Sequence, residues 1–380
     1  MLPLDLTSIP VVDNHCHSLY RTQGPKDVLA WRKHFTEASG LRVQQEHVAT
    51  TLMYRRVIRA MADFFSCAPT EEAVLAMRNQ QDDRTLVQNY WRAAHIDVLC
   101  LDKGHPPLYE VLSEADHAEL GNCRVAPMLR VELIMQDLIA AQSTLTDVIE
   151  GLRAALQDIR SQGYVSLKSI VAYRTGLEIA TWSADAVQVA FAEARNEVSA
   201  TGTVRLGYKP LLDTLLHVVF EEAASQEVPI QFHTGYGDED ADMLLANPLL
   251  LRAVIRNKRY QTMPVVLLHE SYPYTRQAAY LATVYDNVYL DLSYGIPFLG
   301  YNEMLEFTRA AFDVAPSSKL LYSSDGIGIP ELHWISARDG RRIIGQVLGE
   351  RVASGELSQS EAEAVGVAVL QQNALRLYQI

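Results

Sequence analysis

At 380 residues the chain could form one large α/β barrel or two ordinary domains, and its net charge of −13 argues against a general nucleic-acid binder or a binder of anionic membranes. Hydrophobic residues at 48% and charged residues at 21% are the proportions of a soluble globular protein. The four cysteines, Cys16, Cys67, Cys100 and Cys123, are scattered without a CxxC pair, which excludes a disulfide framework or a zinc knuckle and fits the reduced thiols of a cytoplasmic protein.

The opening stretch, "MLPLDLTSIP", carries an aspartate and lacks the basic and apolar regions of a signal peptide, and no apolar run reaches transmembrane length. The first apolar run, "IPVVDNHCH" (9–17), ends in two of the chain's 11 histidines, His15 and His17. On a strand, residues i and i+2 share a face, so the two imidazoles project together. That is half of a transition-metal site, or else two surface histidines at a strand end. Roughly 75 residues of mostly helical pattern follow, including "DVLAWRKHF", "TLMYRRVIRAMADFF" and "TLVQNYWRAAH". They are expected to form a helical insertion, about 20–95, that caps the pocket of a barrel.

Seven more apolar runs then alternate with helical stretches. The runs are 96–104, 123–132, 163–174, 228–237, 263–271, 287–295 and 318–326, and near-continuous apolarity suits parallel strands buried on both faces. The helical stretches are 135–162, 211–226, 248–260, 271–286 and 301–316, with a helical tail over 336–380 closing the fold. Eight strands alternating with helices predict an α/β (β/α)8 TIM barrel forming one domain over 1–380. A doubly wound open sheet is the runner-up, although no G-x-G-x-x-G follows any strand.

In such a barrel the chemistry sits at the C-terminal ends of the strands. Read there, the sequence supplies His15 and His17 from the first strand, Lys168 from the fourth, His233 from the fifth, His269 from the sixth and Asp325 from the eighth. Singly, His233 reads as a satisfied core histidine and Asp325 as a helix N-cap. Together, imidazoles and a carboxylate form a ligand set for Zn²⁺, Mn²⁺ or Fe²⁺. A lysine inside a parallel strand is costly to desolvate and so argues for a role.

This order of residues resembles the amidohydrolase superfamily, whose pattern is HxH after strand one, lysine after strand four, histidines after strands five and six, and aspartate after strand eight. The wording of "LKSIVAYRTGLEI", "IQFHTGYGD", "VVLLHESYPYTRQAAYLA" and "YLDLSYG" is similar to one branch, the amidohydrolase-like domain fused to some glutamine synthetases and its stand-alone relatives. The resemblance implies that His15, His17, His233, His269 and Asp325 are metal-site residues. It also implies Asp325 as proton shuttle, and Lys168 either as a carbamylated bridge between two metals or as a group that binds a substrate carboxylate. One or two divalent ions per chain, zinc first, are expected. The implied reaction is hydrolysis of an amide-type C–N bond, with a γ-glutamyl amide or another carboxylate-bearing amide as substrate. Decarboxylation or C–C cleavage, a uronate-isomerase-like reaction, and a non-catalytic partner of glutamine synthetase are the alternatives.

Around the same strand ends, Arg130, Glu132 and Arg174 are expected to meet a substrate carboxylate, or to form structural pairs. Tyr236 and Tyr272 are candidate lining residues, with Tyr274 and His333 at the mouth. Asp238 and Asp240 in "HTGYGDEDAD" are expected to cap a following helix or to contact a substrate amine, since the loop lacks the EF-hand spacing. A small-molecule substrate and self-association of the barrel complete the expectation.

Overall fold

A computed structural model describes residues 3–24 and 26–380, so the first two residues of the N-terminal stretch lie outside it. Eight strands form one parallel sheet in the order β1 to β8: Val11–His17, Ile96–Asp102, Arg124–Arg130, Ser166–Ser169, Ile230–Phe232, Val265–Leu267, Val288–Ser293 and Leu320–Ser323. The backbone just past β8 meets β1, with Asp325 N–H donating to the His15 carbonyl at 3.0 Å and His17 N–H to the Gly326 carbonyl at 2.8 Å. Helices separate the strands, as expected of a (β/α)8 barrel. The short strands β5, β6 and β8 are buried along their whole length, as strands covered on both faces are. Among the described residues no helix is long and apolar enough to cross a membrane.

By internal contacts the chain divides into two compact units. The first comprises Met1–Val125, Gly237–Glu239 and Asp291–Arg376. It contains the long segment between β1 and β2, which carries the helices Val28–Arg32, Leu52–Phe65, Glu71–Arg78 and Asp83–Ala94. All four start where the sequence supplies a capping hydroxyl or carboxylate: Asp27, Thr51, Thr70 and Asp82 each accept from a backbone N–H in the first turn. Their apolar faces close on the helix Pro330–Ser354, where Phe64 stacks on Tyr90 at 4.5 Å between ring centres and Trp334 lies 5.0 Å from Tyr90. A buried ion pair ties the same elements together: Arg78 Nε reaches Glu331 at 2.7 Å, its Nη1 donates to the Gln23 carbonyl at 2.8 Å, and its guanidinium lies over the Trp31 ring.

The second unit comprises Ala126–Tyr236, Asp240–Leu290 and Leu377–Ile380. Its strands β3 to β6 pair in register, so that Arg130, Lys168 and Gln231 stand side by side across three strands. The predicted helix over 135–162 is two helices, Val131–Ala141 and Leu145–Ala155, since Thr144 caps a new first turn. The predicted helix over 248–260 is mostly 3₁₀: Asn247 and Asn257 each cap a fresh turn and divide it. The predicted strand over 163–174 shrinks to Ser166–Ser169, after which the chain turns into the 3₁₀ segment Val171–Tyr173.

Candidate metal centre

In the first unit the two histidines of β1 meet an aspartate from beyond β8. His15 is fully buried, and His17 is partly exposed. His15 Nε2 and His17 Nε2 lie 3.6 and 3.5 Å from the same atom, Asp325 Oδ1. Those separations are too long for good hydrogen bonds. They suit ligands about one ion, since two atoms each 2.0–2.2 Å from a tetrahedral centre stand roughly 3.4 Å apart. The other nitrogen of His17, Nδ1, donates to the His105 carbonyl at 3.0 Å, which leaves Nε2 bare for an ion. The Asp325 backbone is left-handed, at φ 50°, a conformation that costs a non-glycine residue about 1–2 kcal/mol.

Two acids of this unit escaped the sequence reading. Asp102, the last residue of β2, is buried, and a carboxylate oxygen of it lies within 4.8 Å of ligand atoms of His15 and His17. Its signal was available, an acid at a strand end, but "DK" at the start of a loop reads equally as a turn. The other is Glu37, in the insertion. Burial, reinforced by the charges of Asp325 and Asp238, pushes its carboxyl up to about 7. No motif marks it, because insertion and strand end are far apart in sequence.

In the second unit His233 follows β5 and His269 follows β6. His233 Nε2 donates to the Tyr236 carbonyl at 2.6 Å, and its Nδ1, unprotonated in that tautomer, lies 3.1 Å from His269 Nε2. The pair is buried, with Tyr173 packed 4.3 Å from the His233 ring. His269, Glu270 and Ser271 are successively left-handed, at φ 61°, 49° and 53°, turning the chain sharply past β6. Gly235 lies against that turn at φ 76°, where a Cβ would come within 2.4 Å of the Tyr272 carbonyl oxygen. Tyr236 is buried, its N–H bonded to the Tyr272 carbonyl at 2.8 Å.

Lys168 is 2% exposed inside β4, in register with Arg130. Glu132 is not on the strand with Arg130, as its spacing suggested. β3 stops at Arg130, and Glu132 lies in the first turn of the next helix, fully buried. Its Oε1 accepts from Ser169 Oγ at 2.6 Å and from Ile170 N–H at 2.9 Å, bracing the chain just past β4, while burial raises its carboxyl above the usual range. Arg174 is half-buried, and its Nε is buried without a hydrogen-bond partner. Desolvation lowers its pKa, with Arg205 and Arg130 adding repulsion.

Three expectations change. His333 does not line a mouth: it is 1% exposed and packs against Asp13 and Ser324. Asp240 caps no helix, because its carboxylate bonds Arg205 at 3.0 Å. Tyr274 gives its hydroxyl to the Met243 carbonyl at 2.9 Å, a loop tie.

The donors present fit a divalent transition metal. Imidazole nitrogens and carboxylate oxygens are its ligands; in the first unit a carbonyl fixes the tautomer of His17, and in the second a carbonyl fixes that of His233.

Comparison with known proteins agrees with this chemistry. A family model described as amidohydrolase matches residues 202–380. Protein fluG of Emericella nidulans is 29% identical over 98% of the chain, which spans 46% of that protein, about half its length. The crystal structure of a Lactobacillus casei protein assigned as a metal-dependent hydrolase superposes with a TM-score of 0.86 at 27% identity, covering 100% of this chain and 98% of that one. The uronate isomerase of Thermotoga maritima, at 14% identity, a TM-score of 0.68, and 98% and 95% coverage, shares the fold. Over residues 202–380 the chain thus matches the amidohydrolase family model, and over its length it shares the fold of a protein assigned as a metal-dependent hydrolase.

Proposed function

We propose that the protein is a metal-dependent hydrolase of an amide-type C–N bond in a small molecule that carries a carboxylate. The observation that carries the reading is the convergence of His15 Nε2, His17 Nε2 and Asp325 Oδ1 at 3.5–3.6 Å. By the resemblance in residue order, His233 Nδ1 and His269 Nε2 are the further candidate ligands. Lys168, buried on a strand of the second unit, either bridges two ions as a carbamate or meets the substrate carboxylate. Zinc is the first choice of ion, with manganese or ferrous iron as substitutes. When bound, such an ion lowers the pKa of a water from 15.7 towards about 7 and polarises a carbonyl.

The protein's own groups do the rest. Asp325 takes the proton of the attacking water and returns it to the leaving nitrogen. The buried, unpartnered Nε of Arg174 needs an acceptor, and a substrate carboxylate supplies one in charge-assisted geometry, with Arg130 beside it. Such a small-molecule enzyme fits the cytoplasm, and its barrel fits a homo-oligomer.

The test combines elemental analysis with product analysis. Wild type is expected to hold one or two equivalents of metal, and the His15→Ala, His17→Ala double variant to lose at least half. A panel of N-acyl and γ-glutamyl amides should release amine, and Asp325→Asn should slow release by about 10²–10⁴-fold with metal retained. Release of carbon dioxide without amine would turn the assignment to a decarboxylase. A wild type without stoichiometric metal after reloading with zinc or manganese would end the reading.

A further inference from the structure

The turn that carries Asp325 is held by a buried network that the reaction does not use directly. Asp325 is left-handed, and no glycine relieves the strain. Ser324, just before it, sends its side chain across the turn: Ser324 Oγ accepts from Gly326 N–H at 2.9 Å, so residues 324 and 326 are clamped over Asp325. The same hydroxyl donates to Asp13 Oδ2, and Ser324 N–H donates to Asp13 Oδ1 at 2.8 Å. Asp13 thus receives two hydrogen bonds from a residue 311 positions away, and both are fully buried. The ring of His333 closes the third side. Its Nδ1 is 3.4 Å from Ser324 Oγ and 3.7 Å from Asp13 Oδ2, and a Cβ added at Gly326 would lie 2.7 Å from its carbons.

β1 contributes at both ends. The ladder with β2 is irregular between Asp13 and Cys16, so β1 departs from simple alternation between the Asp13 anchor and the ligand His15. The His15 carbonyl then accepts from Asp325 N–H at 3.0 Å. Metal ligand and proton-transfer group are therefore fastened by one short loop of hydrogen bonds running from Asp13 through Ser324 to Asp325 and back to His15. In a dry site, the charge of Asp13 also polarises the Ser324 hydroxyl and strengthens its acceptance from Gly326 N–H.

We infer that Asp13 and Ser324 are positioning residues, which fix the carboxylate of Asp325 between His15 and His17, with His333 packing the network shut. The inference rests on the metal-site reading above but reaches residues that touch neither metal nor substrate. Partners of this kind are worth about 10–100-fold in metal affinity or activity.

The test uses cobalt(II) as a spectroscopic substitute in the full-length protein, with affinity measured against a competing chelator and the visible absorption bands recorded. Ser324→Ala removes the clamp on Gly326 and one donor to Asp13. Because it strips a buried carboxylate and threatens the fold, Asp13→Asn is measured beside it: nearly isosteric, it still accepts from Ser324 N–H. In whichever variant keeps its far-ultraviolet circular dichroism, cobalt affinity is expected to fall 10–100-fold and the bands to shift. Asp13→Asn should be the milder of the two. A folded variant with lowered melting temperature but wild-type cobalt affinity and bands would show a merely structural role and overturn the inference. Wild type that binds no cobalt would instead overturn the metal-site reading, so the two failures are distinct.

Discussion

Glu37 is the side chain whose ionisation the fold disturbs most informatively. Its carboxyl, ordinarily near 4.5, is pushed up to about 7 by burial and by the negative charges of Asp325 and Asp238. The folded chain therefore keeps a proton that the unfolded chain releases above about 4.5. Stability falls as pH rises from about 4.5 through about 7 and is level beyond, a difference of roughly 3 kcal/mol over the window. Glu37→Gln is expected to flatten that slope in metal-free protein, read as melting temperature between pH 5 and pH 8. An unchanged slope would mean that solvent already reaches the carboxyl. The metal-ligand candidates His15 and His17 were legible from their spacing alone, because period-two projection is a local rule. Glu37, Asp13 and Ser324 were not, because their partners lie hundreds of residues away and no local pattern encodes them. Nor did the sequence announce left-handed backbone at His269, Glu270, Ser271 and Asp325, where no glycine or asparagine marks it.

Among the elements, the segment between β1 and β2 depends on one interaction more than any other. Arg78 and Glu331 are essentially excluded from solvent, and the guanidinium also satisfies the Gln23 carbonyl. Removing one partner leaves a buried charge unpaired, which costs about 3–5 kcal/mol. Arg78→Ala is expected to lose that much in urea unfolding, far more than a break in the exposed Arg84–Glu119 pair, for which 0–1 kcal/mol is expected. A loss below about 1 kcal/mol would mean that water replaces the guanidinium. The helices of this segment were readable from amphipathic pattern and capping residues. The division at Thr144 and the early end of β3 were not, since Val131 and Glu132 continue an apolar strand pattern until the helix wins them. That same helix start turns Glu132 from a strand-face partner of Arg130 into a brace for β4.

Over the whole molecule, the number and order of strands were legible because eight apolar runs alternate with helical pattern, and a right-handed parallel crossover needs that alternation. The placement of the candidate ligands at strand ends follows from the same barrel. An ion held where His15, His17 and Asp325 converge would be bound by the folded chain, so its binding would stabilise that state. Zinc or manganese at about 100 times its dissociation constant should add on the order of 2.7 kcal/mol. A chelator should remove it, observed as a fall in the thermal midpoint of wild type but not of the His15→Ala, His17→Ala variant. Equal midpoints with and without metal would place the ion on the unfolded chain as strongly as on the folded one.

The segment between β1 and β2 leaves the sheet just after His17 and rejoins it at Ile96, so all its changes in length are absorbed between two adjacent strands. An insertion within residues 36–50 is therefore expected to leave the strand-borne candidates His15 and His17 in place, which cobalt binding by such a variant would check. In such a chain what surrounds the strand ends and what the strand ends carry are separate variables: the first is altered by lengthening one connection, the second only by changing the strands themselves.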